Sequence, residues 1–132
     1  MIRTRWTPGP AADATGPVLV SVTDFRAGRR GDLPGVYRAG LRLRRGWPRL
    51  TGAVGMWLWT APLQGRCGSV SIWTDEKALH GFVAWPEHVA IMRRYRGRGE
   101  LRSTTWTLAR RDHAEIWVRA EAYLAMIKAS PQ

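Results

Sequence analysis

The sequence predicts an α+β fold in the order β-α-β-β-α-β, followed by one further helix. Apolar residues alternate with period two in four short runs and recur with helical period in three longer ones. The two middle strand runs are separated only by Ala61-Pro-Leu-Gln-Gly65, a connection suited to an antiparallel hairpin.

Residues 1–16 carry Thr7-Pro8-Gly9-Pro10 and no periodic pattern, so a flexible arm is expected, with the domain running over 17–132. In PVLVSVTDF, Val18, Val20 and Val22 alternate with Leu19, Ser21 and Thr23, the signature of a half-buried strand. Leu33, Val36, Tyr37, Gly40 and Leu41 then mark one face of an amphipathic helix that stops near Gly46-Trp47-Pro48. Strands are predicted over 54–60, with Trp57 and Trp59 on one side, and over 66–73. Thr74 reads as a helix N-cap, with Asp75 and Glu76 in the first turn and Leu79, Phe82 and Val83 as the buried stripe. Pro86 disfavours helical geometry at Trp85, so the helix either kinks or restarts there. Gly97 and Gly99 end it, residues 101–108 alternate again, and Asp112 with Glu115 opens a last helix through Ile116, Ala120, Tyr123, Leu124 and Ile127. A central hairpin between two crossover helices is the ferredoxin-like antiparallel sheet, here with an extra C-terminal helix. Crossover helices cover one sheet face only. The other, also apolar, is expected to pack against a second copy, giving a homodimer.

With 132 residues the chain has the length of a single domain. Cys67 is its only cysteine, which rules out an intrachain disulfide and any Cys-rich zinc or redox spacing, and fits a reducing cytoplasm. The first 16 residues hold no apolar run of signal-peptide length, and nowhere does an apolar stretch reach the 18 residues of a membrane span. The net charge of +11 comes from 19 Arg and 2 Lys against 10 acidic residues, spread along the chain. Such a field favours anions in general. A non-catalytic basic module binding nucleic acid or another anionic partner is one reading of it, but nucleic acid is not expected, because the strands lack the basic and aromatic interleaving of single-strand readers. Phosphate loops, dinucleotide fingerprints and nucleophile elbows are absent from the sequence.

The most informative residue is His88. Trp85, Met92 and Tyr95 share its helical face, so an imidazole sits among large apolar neighbours. Such a residue is either a core histidine bonded to a backbone carbonyl or a working group at a cavity. His80 lies too far around the helix to form a metal pair with it, and His113, near a helix start, is expected in solvent. Eight tryptophans, five of them between Trp57 and Trp106, either fill a core or wall a pocket for flat ligands.

Ser71, Trp73, Asp75, Ala78, Leu79 and Phe82, followed by His88, Arg93 and Arg94, form a run that resembles the dimeric α+β barrel superfamily of antibiotic-biosynthesis monooxygenases. Within it, the run is most similar to the branch of spheroidene monooxygenase and its short relatives. The resemblance implies a pocket between sheet and crossover helices with His88 beside it, as general base on a phenol or as axial ligand to haem. It thus leaves the cofactor open between none and haem, and implies a small aromatic or anionic ligand. Oxygenation without a cofactor needs an electron-rich phenolate in a dry aromatic pocket. Trp57, Trp59, Trp73 and Trp106 are the candidate walls and Tyr95 a candidate proton donor. Arg66 and Arg93 are candidate anion contacts, although Arg93 and Arg94 lie off the His88 side of their helix.

Overall fold

The computed structural model describes residues 1–129, and the expected element order is present. Two short strands, β1 (Ile2–Arg3) and β2 (Thr7–Pro8), precede β3 (Val18–Ala27), α1 (Leu33–Arg45), β4 (Ala53–Ala61) and β5 (Arg66–Trp73). Then come α2 (Glu76–Val83), α3 (Pro86–Tyr95), β6 (Gly99–Leu108) and α4 (His113–Ala129). All strand pairings are antiparallel, in the order β1-β4-β5-β3-β6 with β2 also on β4, so the four long strands make a ferredoxin-like sheet.

Local signals set the helix ends with one correction. Asp75, not Thr74, caps α2: its backbone is extended and its carboxylate accepts the Ala78 N–H at 2.8 Å. The Thr74 N–H instead donates to the Gly52 carbonyl. At Pro86 the helix restarts rather than kinks, since Trp85 is held at φ −61° and ψ 130°. Asp112 accepts the Glu115 N–H at the start of α4, as expected.

Alternation sends the two sets of sheet residues into different cores. Leu19, Met56, Leu58 and Trp73 face α1 and α2, where Trp47, Leu79 and Phe82 pack on them. Val20, Val22, Trp57, Trp59, Ile72 and Trp106 face the opposite way. That second face was expected to be bare and to need a second copy, yet α4 lies across it through Ile116, Trp117, Ala120 and Leu124. The length and apolar stripe of α4 let it do within one chain what a partner was expected to do.

The arm expected to be loose follows the β4 edge. Thr4 exchanges two hydrogen bonds with Leu58, and the Gly9 and Ala11 amides donate to Val54 and Ala53. Trp6 stacks on Trp57 at 4.6 Å and on His113 at 4.5 Å, over Gly55, where a Cβ would collide with its ring. A ring burying this much surface outweighs the turn-forming residues around it.

Candidate functional site

Between the sheet and helices α1–α3 lies a cavity of about 380 Å³, within the range that holds a small organic ligand. Its floor is Thr23, Met56, Leu58 and Ser69 from the sheet, and its walls include Leu43 of α1, Phe82 of α2 and Ile91 of α3. The two floor hydroxyls, Thr23 Oγ1 and Ser69 Oγ, bond each other at 2.8 Å, so the floor is polar but internally satisfied.

His88 lines this cavity, half-buried, with its ring 4.5 Å from that of Phe82. The break before Pro86 explains how it is held. The end of α2 leaves the Val83 carbonyl without a helical donor, and His88 Nδ1–H donates to it at 3.1 Å. A carbonyl can only accept, so the proton sits on Nδ1 and the Nε2 lone pair is left free. Burial pushes the imidazole below its usual range and the Val83 bond opposes this in part, so the ring is neutral at pH 7. The backbone-bonded histidine and the available base are therefore the same residue.

Tyr95, two turns further along α3, also lines the cavity and is buried. Its hydroxyl rests against Gly35 of α1, where an added Cβ would come within 2.7 Å. Cys67 lies in the lining too, but burial first and the Asp24 charge second push its thiol up to about 12, so it stays protonated.

The tryptophans and arginines sort differently from expectation. Trp57, Trp59 and Trp106 point to α4, on the far side of the sheet: the first two have the opposite parity to Met56 and Leu58 on β4, and Trp106 pairs with Val20 of that same face. Trp73 is on the cavity side but sits behind its wall, against Trp47 and Phe82, with Nε1 donating to Ser71 Oγ at 3.0 Å. Arg66 is buried on the α4 side in an ion pair with Asp24, so it contacts no cavity. Arg93 is exposed and outside the lining. In their place the structure brings Trp47 and Arg96 to the site. Trp47 is 1% exposed, and its Nε1 has no partner among the described residues. Both follow a helix end, where periodicity no longer assigns a face, so no sequence signal marked them.

His113 is another correction. It is wedged between Trp6 and Trp57, and burial followed by the Arg111 charge lowers its pKa, with Asp112 opposing. Among the described residues no three His, Cys, Asp or Glu side chains gather into a metal-binding group, and no helix is long and apolar enough to cross a membrane.

No family model and no curated protein matches the chain. Solved structures do match its fold. SnoaB, a cofactor-independent oxygenase from Streptomyces nogalater, is 18% identical, with TM-score 0.53 over 69% of this chain and 92% of its own. A protein from Deinococcus radiodurans assigned to the antibiotic biosynthesis monooxygenases is 13% identical, with TM-score 0.59 over 67% and 89%. A dimeric ferredoxin-like protein of unknown function from Jannaschia is 14% identical, with TM-score 0.59 over 67% and 97%. The chain thus has the ferredoxin-like α+β fold that these proteins share.

Proposed function

We propose that the chain is a cofactor-independent oxygenase acting on an electron-rich aromatic, polyketide-like substrate. The observation that carries this reading is the apolar cavity with a neutral His88 whose Nε2 is free. In it, His88 takes the phenolic or adjacent C–H proton, and the resulting carbanion-phenolate gives its electrons to dioxygen. Conversion of a methylene to a carbonyl releases four electrons, which reduce one dioxygen to the carbonyl oxygen and one water. No external reductant is needed. The Phe82, Trp47 and Ile91 walls keep the anion dry and reactive, and Tyr95 is the proton donor to reduced oxygen. The likeness to SnoaB and the run from Ser71 to Arg94, similar to the spheroidene monooxygenase branch, support the same class.

Haem is the second reading of His88: Nε2 would ligate its iron, and Arg96 of the lining would face a propionate. A homodimer belongs to the oxygenase reading, by likeness to the dimeric Jannaschia protein, with the outer face of α4 as contact, where Val118 is 72% exposed. A cytoplasmic setting, fitted to the lone reduced cysteine, belongs to it too.

An oxygen electrode tests the activity. An anthrone-type phenol should consume one dioxygen per molecule without added flavin, metal or haem. Absence of enzyme-dependent uptake across a panel of such phenols, or uptake only after hemin is added, would overturn it.

A further inference from the structure

Beside the cavity lies a second recess, built from the β3–α1 loop and the α3–β6 turn. The two share Gly97 and Gly99, and the recess adds Gly28, Arg29, Asp32, Arg98 and Glu100. Glycine makes this junction possible. Gly97 has φ 80°, and a Cβ on Gly99 would strike the Arg26 carbonyl, so both positions favour glycine and neither places a side chain where the two linings meet.

The charges around the junction do not cancel. Arg98 lies 3.8 Å from Asp32, and Glu100 lies 3.4 Å from Arg102, which accounts for both carboxylates. Arg96, in the cavity lining, and Arg29, in the recess, have no ion-pair partner among the described residues. The cavity beside His88 is therefore mostly apolar with one unneutralised guanidinium, Arg96, and the recess that meets it at the two glycines adds a second, Arg29. An aromatic hydrocarbon would use neither guanidinium.

We propose that the substrate is a planar aromatic bearing an oxyanion, a carboxylate or a phosphate, on its outer end, bound by Arg96 and Arg29 while its ring lies against Phe82 and His88. This deepens the oxygenase reading and rests on the same cavity being the substrate site. Guanidinium forks suit either oxyanion, because both present two oxygens to parallel N–H donors. The same contacts fix which ring carbon meets His88, since the anion anchors one end of the molecule.

Calorimetry with three probes tests it: naphthol, hydroxynaphthoate and hydroxynaphthyl phosphate. One anionic probe or both should bind at least tenfold tighter than naphthol at low salt, and the tighter of the two identifies the oxyanion. The advantage should shrink at high salt. Arg96→Gln and Arg29→Gln, both at exposed positions, should each remove most of the advantage and leave naphthol affinity unchanged. Equal binding of all three probes, or an advantage that survives both substitutions, overturns the oxyanion site alone. If none of the three binds, the aromatic cavity itself is not the substrate site and the oxygenase reading falls with it.

Discussion

Arg66 and Asp24 face each other across β5 and β3 with both oxygens engaged: Nε lies 3.2 Å from Oδ1 and Nη2 3.0 Å from Oδ2. The same Nη2 donates to the Leu124 carbonyl of α4 at 2.9 Å, and Nη1 to Gln64. With side chains 3% and 2% exposed, this pair is a staple between sheet and C-terminal helix. Arg66→Met strands a buried carboxylate and should cost about 3–5 kcal/mol in urea unfolding, whereas adding Asp24→Leu to it should recover much of the loss. A loss under about 1 kcal/mol for Arg66→Met would show that the pair is not closed in solution.

At His88 the two roles separate by choice of substitution. Asn keeps an N–H for the Val83 carbonyl but has no basic nitrogen, so His88→Asn should retain the melting temperature and lower turnover by about 10²- to 10⁴-fold. Near-wild-type oxygen uptake by the folded variant would leave His88 as a helix-end donor only.

Tyr95→Phe removes the hydroxyl that rests on Gly35 and leaves the ring against Phe25. It should lower turnover by about tenfold or more with little change in stability, by the proton-transfer argument used for His88. Steady-state rates beside a thermal melt check this.

His88 and His113 both have pKa values lowered from 6.5 in the fold, chiefly by burial. Below 6.5 the unfolded chain binds more protons than the native one, so unfolding is favoured as the pH falls. Stability should be complete above 6.5 and decline as the pH falls through the lowered native values. Urea midpoints at pH 7.5 and pH 5 measure this, and a double variant with His88→Asn and His113→Phe should flatten the difference.

Gly55 holds the N-terminal arm through the space its missing side chain leaves for Trp6. Gly55→Ala should lift Trp6 from Trp57 and expose residues 1–16 to protease while the remaining domain resists. Cleavage at the wild-type rate would mean that the ring is not seated there.

Light scattering bears on the assembly. A species near twice the 14.9 kDa chain mass is expected, and Val118→Glu should halve it. A wild-type monomer at micromolar concentration would remove the homodimer from the proposed function.

Patterning alone determined the order of elements from β3 onward, because period-two runs such as 18–23 and the Leu33 to Leu41 face are local properties of the chain. The same locality made His88 and Tyr95 legible as neighbours on one helical face, and both line the cavity. Parity of strand positions was readable too, but not which parity faces which helix, and this misassigned Trp57, Trp59 and Trp106. Only the tertiary structure decided that α4 would lie over their side of the sheet, that Arg66 would meet Asp24 there, and that Trp6 would seal the edge. The Arg66 and Trp6 contacts join residues 42 to 107 positions apart, with a geometry that no local period encodes. Trp47 and Arg96 came to the site for the same reason: each follows a helix end, where direction is set by what the chain packs against next.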